Sequence, residues 1–168
     1  MTAAPFKTAF ALLALVLALS CRADELRGKV VGIVDGDTVD LLTPDRRTVR
    51  LRLHGVDAPE DGQAYGAAAK AYTGRKCAGV AVVAQVVDLD RYGRSVADVK
   101  LANGESLNHS LVQAGFAWWM PEYSKDKTLD ALEAEARAAH RGLWADLDTS
   151  KPPVRPSEYR NGKKKGTQ

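Results

Sequence analysis

Cysteine is scarce: Cys21 and Cys77 are the only two in 168 residues. That excludes a disulfide-rich scaffold, although an exported protein would permit a Cys21–Cys77 bridge. The plainer reading is that Cys77 is a half-buried free thiol. Histidine is also rare, and His54, His109 and His140 show no zinc-ligand spacing. The first two read as structural and the third as a solvated helix residue. Long apolar runs are missing too. The one continuous stretch, Ala9 to Leu19, is too short to span a bilayer, and it follows Lys7 and leads to small residues. It reads as a secretory signal over residues 1–23. Cleavage after Ala23 would remove Cys21, whereas cleavage after Ser20 would leave Cys21 as a lipidation candidate, with Ala18 departing from the lipoprotein pattern. The expected protein is therefore exported, secreted or periplasmic, and touches a membrane only if Cys21 is lipidated. A monomer is expected.

No charge of one sign dominates. The chain has 24 basic and 21 acidic residues, and residues 24–150 hold 16 basic against 20 acidic, a net charge of −4. Such a domain does not bind a polyanion by bulk charge. If it handles phosphates, it needs locally placed arginines and a cation. No internal repeat is present.

What the chain does have is alternation. Leu26–Val34, Thr38–Leu42, Arg47–His54, Val80–Val87 and Ser95–Leu101 read as five strands with short connections. Three helices are expected, over Ala64–Arg75, from the Ser106 cap to a stop at Gly115, and over Thr128–Arg141 before Gly142. The fold class is α+β and mainly β: a small five-stranded barrel closed against helices, such as an OB-fold. Residues 24–150 form this domain. Residues 151–168, with Pro152, Pro153, Pro156 and a basic end, read as an extended segment with a frayed terminus.

Four short motifs carry potential chemistry. Asp35-Gly36-Asp37 can aim a carboxylate at a hard cation, and is also a common hairpin turn. Arg50 and Arg52 alternate on one strand and share a face; for Arg50 a solvated surface is an equal reading. Asp57-Ala58-Pro59-Glu60 places two carboxylates in a loop after that strand, and the same residues fit a helix capping box. Asp90-Arg91-Tyr92-Gly93-Arg94 closes a turn between two strands.

Together and in this order, these motifs resemble the staphylococcal nuclease family. The likeness runs from about Val30 to Trp144. It includes Arg52-Leu53-His54-Gly55-Val56-Asp57-Ala58-Pro59-Glu60, Asp90-Arg91-Tyr92-Gly93-Arg94 and the closing Arg141-Gly142-Leu143-Trp144. The resemblance implies an OB-type five-stranded barrel with three helices. It also implies calcium-dependent cleavage of DNA or RNA phosphodiesters with little sequence preference, leaving a 3′-phosphate. By the same likeness Asp37 and Asp57 are carboxylate ligands of the metal and Ala58 supplies a carbonyl, at a position where many members carry threonine. Glu60 matches the general base, and Arg52 and Arg94 the phosphate-clamping arginines. Tyr92, Trp118 and Tyr123 match aromatic positions near the substrate. The tryptophans and Met120-Pro121 depart from the staphylococcal form, as does a shorter loop after Glu60. The rival expectation is a catalytically inactive OB-fold that only binds nucleic acid; such a module has no need of Asp37, Arg52, Asp57, Glu60 and Arg94 together.

Overall fold

The alternation becomes a barrel with one greasy face. The strands are β1 (Glu25–Ile33), β2 (Thr38–Leu42), β3 (Thr48–Leu53), β5 (Ala81–Leu89) and β6 (Ser95–Leu101), with two-residue strands β4 (Val56–Asp57) and β7 (Trp118–Trp119). The computed structural model describes residues 25–146 and 152–165. The expected signal segment, Cys21 and the junction at 147–151 lie outside these residues.

The five long strands close in the order β1-β2-β3-β6-β5, with β5 returning to β1. All neighbours are antiparallel except β3 and β6, which run parallel. Val39, Leu41, Leu51, Leu53, Val82, Ala84, Ala97 and Val99 point inward and are buried. Each large aliphatic side chain among them contributes about 1.5–3 kcal/mol on leaving water. Arg52 lies between Leu51 and Leu53 and therefore faces the other way, onto the outside of the barrel wall.

Three helices cover the barrel: α1 (Gly66–Cys77), α2 (Leu107–Gln113) and α3 (Lys127–Ala138). Ser106 caps α2 by accepting the N–H of His109, and Asp126 caps α3 by accepting that of Thr128. Asn108 on α2 fastens two barrel segments. Its Oδ1 accepts the N–H of Val99 at 3.0 Å, and its Nδ2 donates to the carbonyls of His54 at 3.0 Å and Ala97 at 3.2 Å. Cys77 is wholly buried rather than half-buried, its Sγ donating to the Thr73 carbonyl at 3.2 Å, and burial pushes the thiol up to about 11. It forms no disulfide among the described residues.

One expectation needs correcting, and one alternative reading falls away. The C-terminal segment is not extended throughout: Pro156–Lys165 forms a helix, α4. Pro156 stands at its first position, where the fixed φ suits a helix and the missing N–H costs nothing. Asp57 and Glu60 do not form a capping box either. The following helix starts only at Gly66, after Tyr65 in a left-handed conformation, with no side-chain cap.

Candidate active site

Gly36 sets how closely the first motif approaches the third. A Cβ there would lie 2.7 Å from Ala58 Cβ and 2.8 Å from Ala69 Cβ, so only glycine lets the Asp35–Asp37 turn lie against the Asp57–Ala58 segment and α1. Sequence alone suggested glycine for turning; its backbone is not left-handed, and its need is for close approach. The Thr73 hydroxyl donates to the Gly36 carbonyl at 2.5 Å and holds the turn in place.

This approach brings Asp37 and Asp57 together, both 4% exposed. Asp37 Oδ2 accepts the Ala58 N–H at 2.5 Å. Arg52 bridges the two carboxylates, with Nη1 3.1 Å from Asp37 Oδ2 and Nη2 2.8 Å from Asp57 Oδ1. Its Nη1 also donates to the carbonyls of Leu53 at 3.0 Å and Val56 at 2.7 Å. The arginine is therefore braced at the β3–β4 turn by four acceptors. Arg50, two residues earlier, is exposed, pairs with Asp40 and lies outside this group.

Burial pushes the Asp37 carboxyl up to about 7; Arg52 and the Ala58 N–H pull it down, while Asp35 and Asp57 push it further up. Burial also raises Asp57, opposed by Arg52 and Arg160. Two buried carboxylates that resist ionisation side by side suit a cation that neutralises both. Among the described residues no three His, Cys, Asp or Glu side chains converge as a metal cluster. A cation would therefore rest on two carboxylates, a backbone carbonyl such as that of Ala58, and water. That is an all-oxygen set fitted to a hard ion.

Arg94 reaches the site from the turn before β6. Asp90 organises its turn by accepting the N–H of Tyr92 at 2.9 Å and of Arg94 at 3.0 Å, and its Oδ2 holds Arg94 Nε at 2.6 Å. The Arg94 guanidinium lies 5.5 Å from the centre of the Tyr92 ring. A cleft of about 920 Å³ is lined by Asp37, Arg52, Asp57, Ala58, Glu60, Tyr92, Arg94 and Tyr123. Tyr92 and Tyr123 are exposed at its edge, at 69% and 70%.

Trp118 is not there. It is 2% exposed and packs edge-on against Trp144 at 5.5 Å, so the expected substrate contact gives way to a core role. Its backbone pairs with Asp57, and that of Trp119 with Val56. The Glu133 carboxylate accepts the Trp119 N–H at 2.6 Å, which ties this small ladder to α3. Sequence reasoning also missed Arg160 of α4, which reaches the cleft from 100 residues away and pairs with Glu60.

The sequence is shared with known proteins. The family model described as staphylococcal nuclease homologue matches residues 50–146. An uncharacterized endonuclease of Escherichia coli O157:H7 is 38% identical over 139 residues, covering 83% of this chain and 88% of the relative. A micrococcal nuclease of Shigella flexneri is 35% identical over 159 residues, covering 89% and 90%. A protein named ParB from Escherichia coli is 38% identical over 159 residues, covering 89% of each. Fold, site and relatives together make this chain a member of the staphylococcal nuclease family, enzymes that hydrolyse phosphodiester bonds.

Proposed function

We propose that the protein is a calcium-dependent nuclease that cuts DNA, RNA or both with little sequence preference, leaving 3′-phosphate ends. The observation that carries this reading is the meeting of Asp37, Arg52, Asp57, Glu60 and Arg94 at one cleft from four separate chain segments. The export expected from Ala9–Leu19 completes the reading, since calcium is plentiful outside the cell.

Phosphodiester hydrolysis adds negative charge to the non-bridging oxygens and to the leaving oxygen. Arg52 gives three donations to Asp57, Leu53 and Val56. Its Nη1 also lies 3.1 Å from Asp37 Oδ2, and a guanidinium has five N–H groups in a planar fork that suits a phosphate oxygen pair. Arg94, with Nε taken by Asp90, keeps its terminal nitrogens for the same phosphate. Glu60 takes the proton from the attacking water, and its place in the cleft supports that role. When bound by Asp37, Asp57 and the Ala58 carbonyl, the cation supplies positive charge at the phosphate and removes the repulsion of the acidic wall. Tyr92 and Tyr123 offer exposed rings on which any base can stack, in keeping with weak sequence preference.

The test is degradation of single-stranded DNA and RNA by the purified protein with added calcium or with chelator, followed by end-group analysis. Calcium-dependent release of 3′-phosphate fragments is expected. Cutting at full rate in chelator would remove the cation role. Binding without cutting would make the protein an inactive nucleic-acid-binding module.

A further inference from the structure

The C-terminal helix is bolted to the loop that carries Glu60. Gln63 Nε2 donates to the Val154 carbonyl at 2.6 Å, just before α4, and the Tyr159 hydroxyl donates to the Gly62 carbonyl at 2.9 Å. Pro156 is buried at the start of the helix. These contacts aim Arg160 into the cleft, where its Nη1 is hydrogen-bonded to Glu60 Oε1 and its Nη2 lies 3.8 Å from Asp57 Oδ2.

An ion pair as open as this one, with side chains 48% and 34% exposed, adds little to stability. Its value lies in where it puts Glu60. A glutamate has three rotatable bonds, and Asp57 nearby repels it. A guanidinium between the two carboxylates offsets that repulsion and grips one Glu60 oxygen. Glu60 itself lines the cleft.

We propose that Arg160 is a positioning residue for the nuclease reaction: reaching back from the C-terminal helix, it holds the Glu60 carboxylate at the angle from which it activates water. This rests on Glu60 being the base. The helix is then part of the active site and not an appendage to the barrel.

The test uses the full chain with R160A, R160K, E60Q and the double variant E60Q/R160A, measured by single-turnover and steady-state cleavage of a short oligonucleotide in calcium. R160A is expected to lower kcat about 10- to 100-fold. KM should stay within about threefold and the melting temperature should hold, since the pair is exposed. R160K should recover part of the rate, as should free guanidinium added to R160A. In the E60Q background, R160A should cost nothing further, because there is no longer a carboxylate to hold. Three results would overturn the proposal. One is an unchanged or faster kcat in R160A. Another is a rise in KM at constant kcat, which would mean a grip on substrate. The third is a full additional loss in the double variant. If E60Q itself turns over normally, the base assignment has failed and the inference with it. If E60Q is crippled while R160A is normal, the inference alone has failed.

Discussion

Asp57 and Trp118 face each other across the two-stranded ladder of β4 and β7, the carboxylate lining the cleft and the indole packed inside against Trp144. The same backbone pairing thus anchors a proposed metal ligand and a core aromatic. Trp118→Ala should cost about 3–5 kcal/mol of stability. It should also weaken calcium binding, because Asp57 loses the partner strand's support. Trp118→Phe should lose less of both. Urea denaturation and calcium titration measure the two effects; a destabilised variant with unaltered calcium affinity would uncouple them.

Arg52 joins Asp37, Asp57 and two backbone carbonyls. A lysine has one nitrogen for four acceptors and no planar fork for phosphate. Arg52→Lys should therefore lower kcat/KM by about 100-fold or more, on the scale of losing a charge-stabilising donor. It should also lower Tm, since the carbonyls of Leu53 and Val56 lose their donor. Cleavage assays and thermal melts check both parts.

The raised Asp37 carboxyl has a defined sign. In the cation-free fold it titrates at about 7, against an ordinary value of 3.8. The folded protein therefore holds this proton more tightly than the unfolded chain does. Asp37's contribution to stability is fully present below about pH 4 and is lost as pH rises through about 7. Calcium competes with that proton, so the stabilisation it gives should grow between pH 4 and 7 and then level off. Urea curves at successive pH values, with calcium and with chelator, measure this difference. In Asp37→Asn the chelated protein should lose this part of its pH slope.

Cys77 is fully buried with its thiol raised to about 11. A thiol reagent at pH 8 should leave it unlabelled in the native protein and label it at once in guanidinium chloride. Rapid native labelling would show that α1 opens easily from the barrel.

Asn108 satisfies Val99, His54 and Ala97 from inside the fold. Asn108→Ala takes this partner from the Val99 N–H and the His54 carbonyl, while the Ala97 carbonyl keeps the His54 N–H, and should cost about 1–3 kcal/mol for each group that water cannot reach. A His54 ring N–H also donates to the Tyr123 carbonyl at 3.0 Å, and the other ring nitrogen lies 3.2 Å from Asp98 Oδ1, so cleavage should fall as the β3–β4 turn loosens. Denaturation and activity measured together test this.

The sequence by itself determined the barrel. Thr38–Leu42 and Ser95–Leu101 are legible to the residue, because period-two alternation follows directly from which side chains leave water. Asp37, Arg52, Asp57, Ala58, Glu60, Tyr92 and Arg94, which line the cleft, were legible as motifs, and the family likeness gave them roles. Tertiary structure alone decided three other matters. The two-residue strands β4 and β7 have no period to read, and they put Trp118 inside instead of beside a substrate. Gly36 is demanded by the nearness of Ala58 and Ala69, not by its own torsion angles. Arg160 is paired with Glu60 across 100 positions, and local pattern carries no information about a contact that exists only once the chain has closed on itself.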